Sequence, residues 1–145
     1  MKWDRRFLDL ARLVASWSKD PSTKTGAVIT DGRKRILSVG FNGFPVAMLD
    51  KPELYANREE KLSRIIHCEI NALLIAGRLP TNSTLYTWPF LSCDRCAVQM
   101  LQAGILRFVA PKASDNAIAR WGSAFERAKK YILECGAEYT EIDES

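Results

Sequence analysis

The feature that most constrains this chain is His67-Cys68-Glu69 followed by Cys93-Asp94-Arg95-Cys96, with His67 the single histidine in 145 residues. One imidazole and two thiolates fill three corners of the tetrahedron that zinc prefers and leave the fourth open to water. A metal bound that way brings the pKa of its water to about 7, and Glu69 stands close enough to carry protons between water and a substrate. Whatever fold the chain adopts must bring these two segments to one point.

The local spacing suits that demand. A CxxC lets two sulfurs converge on one ion at the start of a helix, where unpaired N–H groups and the helix dipole favour thiolate over thiol. Residues two apart on a helix point to different sides, so Glu69 is read as acting on the water and not as a ligand. The other readings of the CxxC are a structural zinc site and a redox dithiol. A structural site needs a fourth ligand, available only from Cys68, Cys135 or a carboxylate. Cys68 adjoins His67 and would strain to reach the same ion, and Cys135 lies far along the chain, read most simply as a small core residue.

The length fits one domain, 1–145, able to bury roughly two thirds of its unfolded surface. A net charge of +4 mildly favours an anionic ligand without separating a nucleotide from a nucleic acid. No apolar signal segment follows Met1, two of the four cysteines form the CxxC, and no apolar run reaches bilayer length, so the expected location is cytoplasmic, with no membrane partner.

Along the chain, Trp3, Phe7, Leu10, Leu13, Val14 and Trp17 recur at helical spacing and predict an amphipathic helix over Lys2 to Ser18, with Asp4 among the charges on the opposite side. A turn-rich stretch, Lys19 to Gly26, ends it. Ala27 to Thr30 and Ile36 to Phe41 read as strands around a hairpin turn at Asp31-Gly32-Arg33-Lys34. Gly43 and Pro45 mark a bend, and Asn42 at the strand end either donates and accepts toward a ribose hydroxyl or closes an Asx turn on its own backbone. Lys19, Ser22 and Lys24 offer charge and hydroxyl donors to a phosphate. Val46 to Ser63 is long for a connection and predicts a helical turn within Lys51 to Leu62, its charge run a solvated face. Lacking histidine and cysteine, this stretch offers no second zinc site.

The central helix is expected over Ile66 to Gly77, with His67 and Glu69 in its first turn and Ile70, Leu73, Leu74 and Ala76 in apolar contact. A strand over Thr84 to Trp88, a helix over Cys93 to Ala103 and a strand over Leu106 to Ala110 follow. A helix over Asn116 to Cys135 turns Ala117, Trp121, Ala124, Phe125, Ala128, Ile132 and Leu133 inward, and Glu138 to Ile142 forms a last strand. Helices alternating with strands after the hairpin imply a mixed sheet with helices on both faces, the two metal-bearing helices aiming their N-termini at one edge.

These residues carry a resemblance. His67-Cys68-Glu69-Ile70-Asn71-Ala72 resembles the H-[AC]-E-x-N-A motif of zinc-dependent cytidine and deoxycytidylate (dCMP) deaminases, and Cys93 to Cys96 resembles their P-C-x-x-C. Ser92 stands where that family has proline, and the approach through Trp88-Pro89-Phe90 is about one residue longer. Asp20 to Ala27 resembles D-P-x-x-x-V-G-A, with Thr25 in place of valine. Gly40-Phe41-Asn42-Gly43-Phe44-Pro45 is similar to the G-Y-N-G-x-P of deoxycytidylate deaminases, the segment that most separates them from other relatives.

The resemblance runs from about Lys2 to Ile142 and implies a cytidine deaminase-like, three-layer α/β/α fold around a mixed five-stranded sheet. It implies hydrolysis of dCMP to dUMP and ammonia, feeding thymidylate synthesis. The expected zinc ligands are His67, Cys93 and Cys96, with Glu69 catalytic. Lys24, Thr25, Ala27, Asn42 and Cys68 are the expected substrate residues, and Asn42, Gly43 and Phe44 the expected effector residues. It further implies a homohexamer activated by dCTP and inhibited by dTTP, with Mg²⁺ accompanying the triphosphate. The alternatives are an enzyme accepting dCTP as well as dCMP, and a tRNA adenosine or cytidine deaminase. The second would want a more basic surface and stacking aromatics than this chain offers. A zinc-stabilised binding module with a closed site is the reading from a different class.

Overall fold

The computed structural model describes residues 2–144, in the order α1 (Lys2–Ala15), β1 (Gly26–Thr30), β2 (Ile36–Phe41), α2 (Pro52–Ala56), α3 (Arg58–Arg64), α4 (Cys68–Ala76), β3 (Ser83–Trp88), α5 (Asp94–Ala103), β4 (Ile105–Pro111), α6 (Asp115–Glu134) and β5 (Glu138–Ile142). The strands form one five-stranded sheet in the order β2-β1-β3-β4-β5. β1 pairs antiparallel with both β2 and β3, whereas β3, β4 and β5 run parallel. This is the mixed sheet that the alternation of elements implied. No helix among the described residues is long and apolar enough to cross a membrane.

Side chains alternate across the sheet and define two layers of core. On one face, Val28, Tyr86 and Val109 pack against Phe7, Leu8 and Ala11 of α1. On the other, Ala27, Ile29, Leu85 and Phe108 meet Cys68 and Ala72 of α4, Ala97 and Met100 of α5, and Ala128 and Ile132 of α6. Every residue of β1 is buried, as expected of a central strand covered on both sides.

Two glycines set how closely helices approach this sheet. A Cβ on Gly26 would lie 2.1 Å from the Ala11 carbonyl oxygen of α1, and one on Gly40 would lie 2.4 Å from the Ala72 amide nitrogen and 2.6 Å from the Cys68 carbonyl oxygen of α4. Backbone therefore rests on backbone at both places. Ser38, also on β2, donates its hydroxyl to the Ala72 carbonyl and ties the same helix down.

Several expectations from periodicity are corrected. α1 ends at Ala15, and its buried face is Asp4, Phe7, Leu8, Ala11, Val14 and Ala15, leaving Trp3, Leu13 and Trp17 exposed. Asp4 is buried because Arg107 binds it through two nitrogens, at 2.8 and 2.6 Å, and the Tyr86 hydroxyl donates to it at 2.7 Å. The 46–63 connection holds two short helices, not one turn, the first opened by Pro52 at its first helical position and the second capped by the Asn57 side chain. Leu74 and Leu133 face solvent, and Cys135 is exposed beyond the end of α6, not in the core.

Candidate active site

α4 and α5 begin at the same end of the sheet, and the residues that begin them are the predicted ligands. His67 is the N-cap of α4 and Cys93 the N-cap of α5, both in extended conformation and neither spending its side chain on a capping bond. The central helix thus starts two residues later than the expected Ile66. As a cap residue, His67 turns off the helix, so that it and Glu69 separate without competing for one position. Cys96 follows within the first turn of α5.

The donor atoms of His67, Cys93 and Cys96 lie within 4.8 Å of one another. His67 Nδ1 is 3.2 Å from Cys96 Sγ and 3.7 Å from Cys93 Sγ. Zn–N and Zn–S bonds at tetrahedral angles put nitrogen and sulfur about 3.6 Å apart, so the two distances straddle what a zinc ion requires. The donor set fits the metal, and no other group of this kind is found among the described residues.

The three side chains shift one another's proton affinities. Hydrogen bonds from Cys96 and His67, with the positive imidazole, pull the Cys93 thiol down to about 4, and the Cys93 thiolate raises His67. Cys96 is pushed up by its bond to Cys93 and by burial. Burial, then the charge of Glu69, holds Cys68 well above the usual thiol range, so it stays protonated.

Glu69 is only 4% exposed, and both its oxygens are engaged. Ser92 donates its hydroxyl to Oε2 at 2.6 Å, and the Cys68 thiol points to Oε1 at 3.4 Å. These groups open onto a pocket of about 220 Å³. Its lining also includes Thr25, Asn42, Arg58, Lys61, Phe90 and Trp121.

One wall of the pocket is built by the loop before β1. The Asp20 carboxylate accepts from the amides of Ser22 and Thr23, and Lys61 of α3 pairs with it at 2.8 Å. Burial alone would raise the Asp20 carboxyl, but Lys61 and those amides outweigh it and hold it below the usual range. Asn42 completes the wall: Oδ1 accepts from the Thr25 amide at 2.9 Å, and Nδ2 donates to the Thr23 carbonyl at 2.9 Å. Its partners are therefore the preceding loop, not its own backbone as an Asx turn would require. The facing wall is aromatic, with Phe90 5.2 Å from Trp121 and 5.3 Å from Phe125 of α6.

Among the other residues read as sites from the sequence, Thr25, Asn42 and Cys68 share this pocket with Glu69, His67 and Cys93. Ala27 is buried one step further along β1. Lys24 lies outside the lining and donates to the Ser18 carbonyl, while Lys19 pairs with Asp50. Gly43 and Phe44 also lie outside it; Gly43 bridges to Ile66, and Phe44 stacks on Tyr55 at 4.2 Å. Arg58, Arg120, Trp121 and Phe125 are pocket residues that carry no motif and become visible only when α3 and α6 close on the site.

Comparison with known proteins agrees with this geometry. Residues 1–112 match the family described as the cytidine and deoxycytidylate deaminase zinc-binding region. An uncharacterised deaminase in the luxG 3′ region of Aliivibrio fischeri is 39% identical over 139 residues, covering 96% of this chain and 92% of the relative. A probable deoxycytidylate deaminase of Drosophila melanogaster is 32% identical over 152 residues, covering 96% of this chain and 71% of its own length. The crystal structure of the dCMP deaminase of cyanophage S-TIM5 in complex with dCMP and dUMP superimposes with a TM-score of 0.71 at 19% identity, covering 97% of each chain. At that identity the likeness is one of fold.

Proposed function

Because this chain belongs to the zinc-dependent cytidine and deoxycytidylate deaminase family, we propose that it hydrolyses dCMP to dUMP with release of ammonia. The observation that carries the reading is the shared pocket, in which His67, Cys93 and Glu69 lie with Arg58 and Arg120 in the same lining. A nucleoside monophosphate needs both ends of that arrangement, a hydrolytic centre for the base and cations for the phosphate.

Zinc held by His67, Cys93 and Cys96 supplies, when bound, a water acidic enough to lose its proton near neutral pH. Glu69 takes that proton as oxygen adds to C4 of the ring and gives it to N3, then takes the second proton from the added hydroxyl and passes it to the departing amine. Water and dCMP are consumed and dUMP and ammonia formed. Backbone amides at Cys68 and near Ala27 hold the edge of the base, with Thr25 beside them. Asn42 acts by fixing the 20–25 loop, to which its amide is tied. Phosphate binding passes from Lys24, already held by a carbonyl, to Arg58 and Arg120. Phe90 and Trp121 exclude water from the side of the base.

The reading extends to regulation and assembly. dCTP with Mg²⁺ activates and dTTP inhibits through Asn42, Gly43 and Phe44, and the enzyme works in the cytoplasm as a homohexamer. Exposed Leu74, Ile75 and Leu79 give such an assembly apolar surface to cover. The test is ammonia release from dCMP, dCTP, cytidine and an oligonucleotide by the zinc-loaded protein. Highest kcat/KM on dCMP supports the reading; preference for another of the four, or release from none, overturns it.

A further inference from the structure

The residue before the CxxC departs from the family pattern, and the structure gives the departure a use. Ser92 is 2% exposed and immediately precedes the Cys93 cap of α5. Its hydroxyl lies 2.6 Å from Glu69 Oε2, within the short range of an O–H donor on a carboxylate. Proline at that position has no side-chain donor. The final torsion of a glutamate side chain is broad and roughly two-fold, so packing along the chain does not by itself decide which way the carboxylate plane faces. A donor anchored on the backbone of another element does. The opposite oxygen, Oε1, meets the Cys68 thiol at 3.4 Å, a weak donor that leaves it able to accept a stronger one.

We propose that Ser92 is a positioning residue for the deamination, fixing the Glu69 carboxylate through Oε2 so that Oε1 is the atom that takes and gives the proton. Ser92 touches neither substrate nor metal in this account; it acts through Glu69. Removing it leaves the carboxylate in place but free to turn, so the fraction of encounters with Oε1 correctly presented falls while substrate contacts persist. This consequence for turnover rests on the deaminase reading above, whereas the effect on Glu69 itself does not.

The experiment therefore has two arms, run on zinc-loaded wild type, Ser92→Ala and Ser92→Thr. In crystal structures, Ser92→Ala is expected to show the Glu69 carboxylate rotated or spread over two orientations, and Ser92→Thr to keep the wild-type one. In kinetics on dCMP, Ser92→Ala should lose about 10- to 100-fold in kcat, the range of a hydrogen bond to a charged group. KM should stay within about twofold and zinc content unchanged, and Ser92→Thr should recover most of the rate. A Glu69 carboxylate unmoved in Ser92→Ala, or wild-type kcat in that variant, overturns the proposal. A wild type that deaminates no cytosine nucleotide overturns the substrate reading instead, and the crystallographic arm still decides what Ser92 does.

Discussion

Gly40→Ala tests whether the sheet sets the position of the catalytic helix. The added Cβ would meet the Ala72 amide nitrogen at 2.4 Å, the Cys68 carbonyl oxygen at 2.6 Å and the Ala72 Cα at 2.9 Å, all backbone atoms that cannot swing aside. Restoring ordinary contact at 3.4 Å from 2.4 Å requires α4 to retreat by about 1 Å, because a close-packed interior has no slack to absorb the difference. Overpacking of this kind costs about 1–3 kcal/mol, equivalent to a fall of roughly 3–10 °C in Tm for a domain this size. The helix that retreats begins with the His67 cap and carries Glu69 in its first turn. A displacement near 1 Å at a reacting group costs about 100-fold in rate, so kcat should fall far more than stability alone explains. Gly32→Ala is the matched control, since its Cβ would meet nothing within 4 Å. Its stability should stay within about 0.5 kcal/mol of wild type. Thermal unfolding, zinc content and ammonia release measured on both variants decide the matter. A Gly40→Ala protein that melts with wild type and turns over at full rate refutes the reasoning.

Two further predictions concern buried charge. Asp4→Asn removes the carboxylate that Arg107 and Tyr86 converge on and leaves a guanidinium about 30% exposed without it, so urea unfolding should show a loss of about 2–3 kcal/mol, discounted for that exposure; a change under 0.5 kcal/mol contradicts the account. Asp4 is held below the usual carboxylate range chiefly by Arg107, and Asp20 by Lys61 and loop amides against its burial. A depressed folded pKa stabilises above the unfolded value near 3.9 and is lost as pH falls through the folded one, so stability should drop steeply below about pH 4. Asp20→Asn should flatten that acid limb in urea titrations between pH 6 and 2, and parallel limbs contradict the assignment.

The gathering of His67, Cys93 and Cys96 was legible because metal chemistry restricts residue type and spacing whatever surrounds them, and one histidine leaves no choice of imidazole. The sheet and its helices were legible from alternation and turn residues. The buried face of α1 was not: Trp3, Leu13 and Trp17 look like core by type, but Asp4 lies inside because an arginine from β4 and a tyrosine from β3 meet it there. Periodicity says what a helix can bury, not what its neighbours require. The same limit hid the aromatic wall, since Phe90 finds Trp121 and Phe125 only when α6 folds back across the start of α5. Cys135 read as core because small sulfur side chains usually are, yet it falls past the helix end, where no sheet covers it.

The most direct test of the whole account is Glu69→Gln, assayed for zinc and for ammonia release from dCMP on the same preparation. Glutamine keeps the shape and loses the proton-carrying oxygen, so zinc should remain near one per chain, as the His67, Cys93 and Cys96 donors are untouched. Turnover should fall by at least about 10²–10⁴-fold, the usual worth of a positioned acid–base group. A variant that holds its zinc and still deaminates at a substantial fraction of the wild-type rate contradicts the account.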